Sequence, residues 1–234
     1  MEEPSVVHET PEPETRLTFL AKRRRVSEER YDTLHAATYD EGWGEISPSH
    51  AAMMERLLAA TISGGEVLDA PCGTGKYWPV ILASGRRVAG IDQSAQMLAQ
   101  AARKHPDVPT RHLGLQELDE HERYHAVICM DALEYVGPED WPAVVRRLRD
   151  AARPGAPLYM TVELANPGDL ATAIEAARAR GEPVVEGEDL APDGGYHYYP
   201  RRGQVLAWLA DAGLELLDEA EGDFYWHLFL RRPA

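Results

Sequence analysis

The sequence predicts a doubly wound α/β fold with a seven-stranded, mostly parallel sheet, and three observations carry that expectation. Val67 and Leu68 begin a short apolar strand that Asp69 ends; the tight turn Gly73-Thr74-Gly75 follows, then Trp78, Val80, Ile81 and Leu82 at helical spacing. A strand, a glycine turn and a helix in that order let backbone approach a bound nucleotide closely. A second strand, Arg87 to Ile91, ends in Asp92, which lies nineteen residues beyond Gly73. An acid about 20 residues past such a turn is placed to bind ribose hydroxyls. Strand-like and helix-like segments then alternate to the end of the chain, which implies parallel strands with ligands outside their carboxyl ends.

Taken in order, residues 1–15 are rich in Glu and Pro and are expected to form a disordered acidic tail. Residues 16–46 read as an N-terminal helical flap, and 47–234 as the main domain. Ser47 caps a helix through Leu58, with Pro48 at its first position and Met53, Met54, Leu57 and Leu58 on its apolar face. Gly64-Gly65 ends that helix. After Asp92, Ser94 caps a helix over Ala95–Lys104, and a third strand covers Thr110–Leu113. Tyr124 to Met130 is a near-continuous apolar run, as in a parallel strand buried on both faces. A helix from Pro138 to Arg149 and the Pro154-Gly155 turn lead to a fifth strand, Pro157–Val162. The interval 165–200 exceeds an ordinary crossover and reads as an inserted lid: an Asn166-Pro167 turn, a helix at Leu170–Arg180 and a loop, then the aromatic stretch Gly194 to Pro200. A helix over Gln204–Ala212 precedes a closing antiparallel pair, Leu214–Asp218 and Phe224–Leu230.

Composition narrows the function. Lys and Arg number 24 against 39 Asp and Glu, a formal net charge of −15. An acidic body repels phosphate backbones, so nucleic acid is not the expected partner. The run Lys22-Arg23-Arg24-Arg25 reads as a solvated helix face. Two cysteines, Cys72 and Cys129, lack metal or redox spacing and read as small buried filler in a reducing compartment. No apolar run matches a membrane span and the N-terminus lacks a signal-peptide core, so the expectation is a soluble, cytoplasmic monomer or homodimer.

The glycine turn and Asp92 fit either a dinucleotide or S-adenosylmethionine (SAM). A dinucleotide site wants a third glycine for close helix packing, where this chain has Trp78. The dinucleotide reading loses. Asp69-Ala70-Pro71-Cys72-Gly73-Thr74-Gly75, with Ile91-Asp92-Gln93-Ser94 and Met97-Leu98, resembles the first two motifs of class I SAM-dependent methyltransferases. The likeness runs from about Tyr31 to the C-terminus and departs at Pro71, where the family usually has glycine; an altered turn with retained binding is expected. The resemblance implies a Rossmann-like sheet with an antiparallel last strand, and SAM as cofactor with S-adenosylhomocysteine (SAH) as product. It implies cofactor contacts from Asp69, Ala70, Cys72, Gly73, Gly75, Asp92, Gln93, Met97, Leu115 and Met130. Gln116 stands near where the family often has an acid for the adenine amino group, and is assigned that role. In such enzymes an N-terminal helix with a Tyr-Asp pair often covers the cofactor, making Tyr31 and Tyr39 candidates for contact; the alternative is that they pack the flap onto the core.

Methyl transfer from a sulfonium needs an acceptor held in line, which can contribute on the order of 7–11 kcal/mol, and a group to manage its proton. Polar residues at the ends of strands four and five and on the lid are the candidates: Asp131, Glu163 and His197 for catalysis, and Glu134, Tyr135, Tyr196, Tyr198 and Tyr199 for acceptor contact. Packing of His197 among the tyrosines, and a capping or ion-pair role for Glu163, compete with those readings. Cys129 to Tyr135 resembles the matching stretch of ubiquinone-pathway O-methyltransferases, which carry acid, acid and histidine there with a divalent cation. Here Tyr135 stands for the histidine and Asp131 for a glutamate, and no metal is assigned. The expected function is methyl transfer to an oxygen or nitrogen of a small aromatic or apolar acceptor in secondary metabolism. A SAM-dependent cyclase or lyase, and a non-catalytic SAM-binding protein, are the alternatives.

Overall fold

The computed structural model describes residues 15–164, 167–191 and 194–234; the expected tail over 1–14 and the Asn166 turn lie outside the described residues. The N-terminal segment forms α1 (Arg16–Arg30), a π-helical turn over Tyr31–His35 and α2 (Tyr39–Trp43). The main body follows as α3 (Pro48–Ala60), β1 (Glu66–Asp69), α4 (Trp78–Ala83), β2 (Arg87–Asp92), α5 (Ala95–Lys104), β3 (Thr110–His112), β4 (Ala126–Cys129), α6 (Trp141–Ala151) and β5 (Pro157–Val162). After β5 come α7 (Pro167–Ala179), β6 (Glu188–Leu190), β7 (Tyr196–Tyr198), α8 (Arg202–Asp211), β8 (Glu215–Gly222) and β9 (Tyr225–Arg231).

Seven strands make one sheet in the order β3-β2-β1-β4-β5-β9-β8. β1 to β5 pair in parallel, and β9 runs antiparallel to both neighbours. This is the doubly wound, seven-stranded architecture the sequence predicts. The order reverses between β1 and β4, and that switch point opens a crevice at the strands' carboxyl ends. Successive side chains of a strand point to opposite faces, so the apolar strands feed two cores. Leu158, Met160, Val162, Leu228 and Leu230 pack with Trp141, Val144, Leu148 and Leu209, under α6 and α8. Tyr159 and Phe229 pack with Met54, Leu57, Trp78 and Ile81, under α3 and α4.

Several boundaries differ from expectation for local reasons. β4 is shorter because Tyr124 makes only an isolated bridge to Ala152, and the chain leaves the sheet where Asp131 adopts φ +53°. α6 begins at Trp141, because Asp140 and Trp141 donate back to the Gly137 carbonyl in a preceding turn. The last pair is longer than predicted and carries a bulge between Leu216 and Asp218. Within the insertion, Tyr196–Tyr198 is a strand paired antiparallel with Glu188–Leu190, a hairpin the sequence reading did not assign. Its register puts Tyr196 and Tyr198 on one face, both buried. Among the described residues no helix is long and apolar enough to cross a membrane.

Candidate active site

A cleft opens at the carboxyl ends of β1, β2 and β4, where doubly wound sheets bind their ligands. Its floor is the turn after β1. Gly75 has φ +78°, and an added Cβ there would lie 2.7 Å from the Trp78 ring; one on Gly90 would lie 2.6 Å from the same ring. Two glycines thus make room for the tryptophan that displaced the dinucleotide reading. Trp78 Nε1 donates to Asp69 Oδ2 at 2.8 Å, deep in the interior. Burial pushes the Asp69 carboxyl well above its ordinary range, so it serves the turn as a buried acceptor behind the cavity wall.

Asp92 is the electrostatic centre of this half. Gly73 N and Ser94 N each donate to its carboxylate at 2.8 Å. Burial nevertheless pushes its pKa up to about 6, the two amide bonds only partly offsetting it. The N-terminal segment is fastened over the cavity by two Tyr-Asp pairs. Tyr31 and Tyr39 line the cavity, while their neighbouring acids face the body. Asp32 accepts from Ser94 Oγ at 2.5 Å and Gln96 N at 3.0 Å, and Asp40 accepts from Thr74 Oγ1 at 2.5 Å and Lys104 Nζ at 2.6 Å. Of the residues expected at the cofactor, Tyr31, Tyr39, Cys72, Gly73, Asp92, Gln93, Met97, Leu115, Gln116 and Met130 line this one cavity. Asp69, Ala70 and Gly75 lie behind it. Pro71 follows a cis peptide bond and also lines the wall.

The other end of the cavity is built around Asp131. Its backbone N donates to Thr161 Oγ1 at 2.7 Å, whose hydroxyl lies 3.3 Å from Oδ1. Tyr77 Oη donates to Oδ2 at 3.3 Å, and Lys76 Nζ stands 3.9 Å from it. His50, from the first turn of α3, places Nε2 2.9 Å from Oδ1. Burial acts to raise the Asp131 carboxyl, but the His50 hydrogen bond, positive charge at His50 and Lys76, and the Thr161 bond together outweigh it and hold the group below its usual range. Asp131 is therefore ionised at neutral pH.

Tyr77 is one of the aromatic residues the sequence suggests for the pocket; sequence reasoning missed Lys76 and His50. Lys76 stands inside the glycine-turn stretch itself. His50 lies three and four residues before Met53 and Met54, on the apolar face of an amphipathic helix. A polar group on a buried stripe was the available signal.

The remaining candidates sit outside the cavity lining, except Tyr135. Tyr135 lines the wall, accepts from Tyr31 Oη at 2.9 Å and packs edge-on against His197 at 4.9 Å, so His197 lies one ring further out. His197 Nδ1 is 3.0 Å from Tyr199 Oη. Glu163 is partly buried, and burial raises its carboxyl. Tyr196 donates to the buried Glu188 at 2.7 Å and belongs, with Tyr198, to the interior of the insertion; Tyr199 lines a second cavity between α7 and α8.

Glu134 is 5 % exposed, with Oε2 lacking a hydrogen-bond partner, and burial pushes its pKa up to about 8. The acid, acid and histidine set that holds a divalent cation in the resembling enzymes is not present here: a phenol, Tyr135, stands for the histidine, and Glu134 is buried outside the cavity lining. The nearby cluster of His50, Asp223 and His227 is engaged in hydrogen bonds, with His227 held between Tyr159 Oη at 2.7 Å and the Gly222 carbonyl at 2.9 Å.

Comparison with known proteins agrees with this geometry. Residues 67–155 match a family model described as a methyltransferase domain. A ubiquinone biosynthesis O-methyltransferase of Bordetella bronchiseptica is 31% identical over 201 residues, covering 80% of this chain and 79% of the relative. Among solved structures, the 1,6-didemethyltoxoflavin-N1-methyltransferase of Burkholderia thailandensis, with its acceptor and SAH bound, superposes with a TM-score of 0.68 at 16% identity, covering 97% of this chain and 93% of that one. The [4+2]-cyclase SpnF superposes with a TM-score of 0.65 at 19% identity, covering 91% and 97%. At such identities the structural likeness is one of fold.

Proposed function

From the premise that the chain belongs to the class I SAM-dependent methyltransferases, with SAM as methyl donor, we propose that it methylates an oxygen or nitrogen of a small aromatic or apolar acceptor, with Asp131 taking the acceptor's proton. SAM, when bound, supplies a methyl group already on an excellent leaving group. What remains for the protein is to hold the acceptor in line, exclude water and receive a proton. The observation that carries the reading is the ionised, cavity-lining Asp131 at the end opposite Asp92, walled by Tyr39, Tyr77 and Tyr135. In this reading Gly73, Asp92 and Gln93 hold the ribose side of the cofactor, and Leu115 and Gln116 the adenine side. The aromatic wall suits a flat acceptor. A carboxylate of low pKa suffices as proton acceptor, because a hydroxyl or ring N–H becomes strongly acidic as it gains the methyl.

The ubiquinone relative favours oxygen as the methylated atom, and the toxoflavin enzyme shows that the fold also serves nitrogen. The likeness to a cyclase supports a second reading, in which SAM stays intact or is cleaved elsewhere. Incubation with SAM and catechol, 1-naphthol or benzimidazole, followed by mass spectrometry, separates them. SAH formed one-for-one with a methylated acceptor is expected; a different cofactor fragment, or intact SAM beside a rearranged acceptor, overturns the proposal. Asp131→Asn should lower turnover at least 100-fold with SAH affinity within threefold of wild type, as measured by calorimetry.

A further inference from the structure

His50 is 3 % exposed and lies beneath the acceptor end of the cavity without lining it. A histidine buried on the apolar face of α3 loses hydration that hydrogen bonds must replace. Both ring nitrogens are engaged: Nε2 with Asp131 Oδ1 at 2.9 Å, and Nδ1 with Ser47 Oγ at 2.8 Å. An ionised carboxylate only accepts, so a hydrogen stands on Nε2; Ser47 Oγ, which also donates to the Asp223 carboxylate, holds the other end of the ring at Nδ1. The ring is clamped by Tyr77, Tyr159, Tyr225 and His227, with centroids 6.0, 6.3, 6.0 and 4.9 Å away. It has one orientation, fixed from the helix cap inward. Asp131 Oδ2 is left on the cavity side, beside Tyr77 and Lys76.

We propose that His50 is a positioning residue for proton removal: its Nε2–H fixes Asp131 Oδ1, so that Oδ2 is ionised and aimed at the acceptor. This rests on the reading of Asp131 as proton acceptor. In the step it serves, the acceptor heteroatom forms a bond to the methyl carbon as the carbon–sulfur bond breaks. The electron pair of that bond stays on sulfur, which passes from sulfonium to neutral thioether. The proton leaves the heteroatom for Oδ2, and Asp131 ends the step as a neutral carboxylic acid. Ser47 contributes at one remove, by holding the ring at Nδ1 so that Nε2 faces Asp131.

The consequence is a pH dependence with a definite sign. The ionisable groups facing His50 are Asp131, Asp223 from the β8–β9 turn, Tyr77, Tyr159, Tyr225 and His227; those facing Asp131 also include Lys76, Tyr39 and Glu134. Burial alone raises the Asp131 carboxyl, and the His50 hydrogen bond is the largest influence opposing it. Without that bond burial prevails, and the proton acceptor fills at a higher pH.

The test uses the full chain with SAH bound, titrating the Asp131 side-chain carbon by NMR, together with single-turnover rates at saturating SAM with whichever compound of the acceptor panel is methylated. His50→Leu is expected to raise the Asp131 titration midpoint and the acid limb of the rate by at least one pH unit. It should slow turnover at pH 7 tenfold or more and leave SAH affinity within threefold. His50→Gln, whose amide N–H stands in for Nε2–H, should restore most of both. Ser47→Gly keeps an acceptable helix cap and should move both readouts in the same direction by less, which preserves the test if His50→Leu does not fold. An Asp131 midpoint unmoved in the folded variants overturns the proposal, whatever their rates. Asp131→Asn separates the two levels: wild-type turnover in it removes the reading of Asp131, whereas a 100-fold loss beside unshifted His50 variants removes only the positioning role.

Discussion

Where the cavity meets β1 and β2, its walls come from two short stretches, Pro71 to Tyr77 and Asp92 to Met97, and the defining contacts are backbone amides from Gly73 and Ser94 to a single carboxylate. Where it meets β4 and β5, the defining contacts are side chain to side chain, and they bring together α3, the α4 entry, the β4 end and β5 through His50, Tyr77, Asp131 and Thr161. Backbone-built recognition depends on chain conformation and reads any adenosine in the same way. Recognition built from side chains of distant elements can be changed one residue at a time without altering the fold. The cofactor half should therefore lose binding when altered, and the acceptor half should lose rate.

The largest expected effect falls on Asp92. Asp92→Ala should weaken SAH binding by about 100-fold or more, the scale of two lost charge-assisted hydrogen bonds, with far-UV circular dichroism unchanged. Calorimetric affinity near wild type would dissolve the contrast between the two halves at its strongest point.

Next is the pH response of the same carboxylate. Its pKa of about 6 lies above an unfolded value near ~3.9. The folded state thus holds the proton more tightly, and the stability this contributes, present below pH ~4, is lost as pH rises through about 6. Binding runs the other way, because ribose hydroxyls donate best to the ionised form. SAH affinity should fall below pH 6 by up to about tenfold per unit, and Asp92→Asn should abolish that slope while binding more weakly. Fluorescence titration from pH 5 to 8 decides it.

This contrast also explains how much was legible in the sequence. The glycine turn, Asp92 and the strand order follow from local chain geometry: a tight turn needs its glycines within three residues, and a buried parallel strand needs an apolar run. Such signals lie adjacent in the chain. The Tyr-Asp pairs were visible as candidates, but their division of labour, rings inward and carboxylates fastening to Thr74, Ser94 and Lys104, is a property of the folded surface. His50 is 81 residues from its partner Asp131, and no spacing rule joins them. Tyr196 and Tyr198 misled because an aromatic cluster reads the same whether it lines a pocket or fills the inside of a small hairpin. Trp78 looked like an obstacle at the turn until Gly75 and Gly90 supplied the space it fills.

A smaller effect is expected at the fastening of the N-terminal segment. Asp40→Ala removes the acceptor for Thr74 Oγ1 and Lys104 Nζ, both at the cofactor half. Asp40 is exposed, so its ion pair contributes little by itself, and the bond its carboxylate accepts from the Thr74 hydroxyl contributes about 1 kcal/mol. SAH affinity should fall about threefold to tenfold, through faster dissociation. An unchanged off-rate would mean that the segment is held by its tyrosines alone, and would move Tyr31 and Tyr39 from cofactor contact toward simple packing.

The smallest effect on binding is expected at Glu134, although the residue is the more strained of the acids near Asp131. Its pKa of about 8 stands well above an unfolded value near ~4.3. The neutral carboxyl is at home in the interior, and the stability this gives is complete below pH ~4 and lost as pH climbs through about 8. Across that window the wild-type protein should lose roughly 5 kcal/mol from this group. Glu134→Gln keeps the shape and cannot ionise. It should flatten the stability profile, raise the melting temperature at pH 8 by about 10 °C or more, and leave SAH affinity within twofold. A variant that melts no higher, yet loses turnover, would mean that the acid is retained for the acceptor, and the half of the cavity built from distant side chains would extend one residue deeper than its lining.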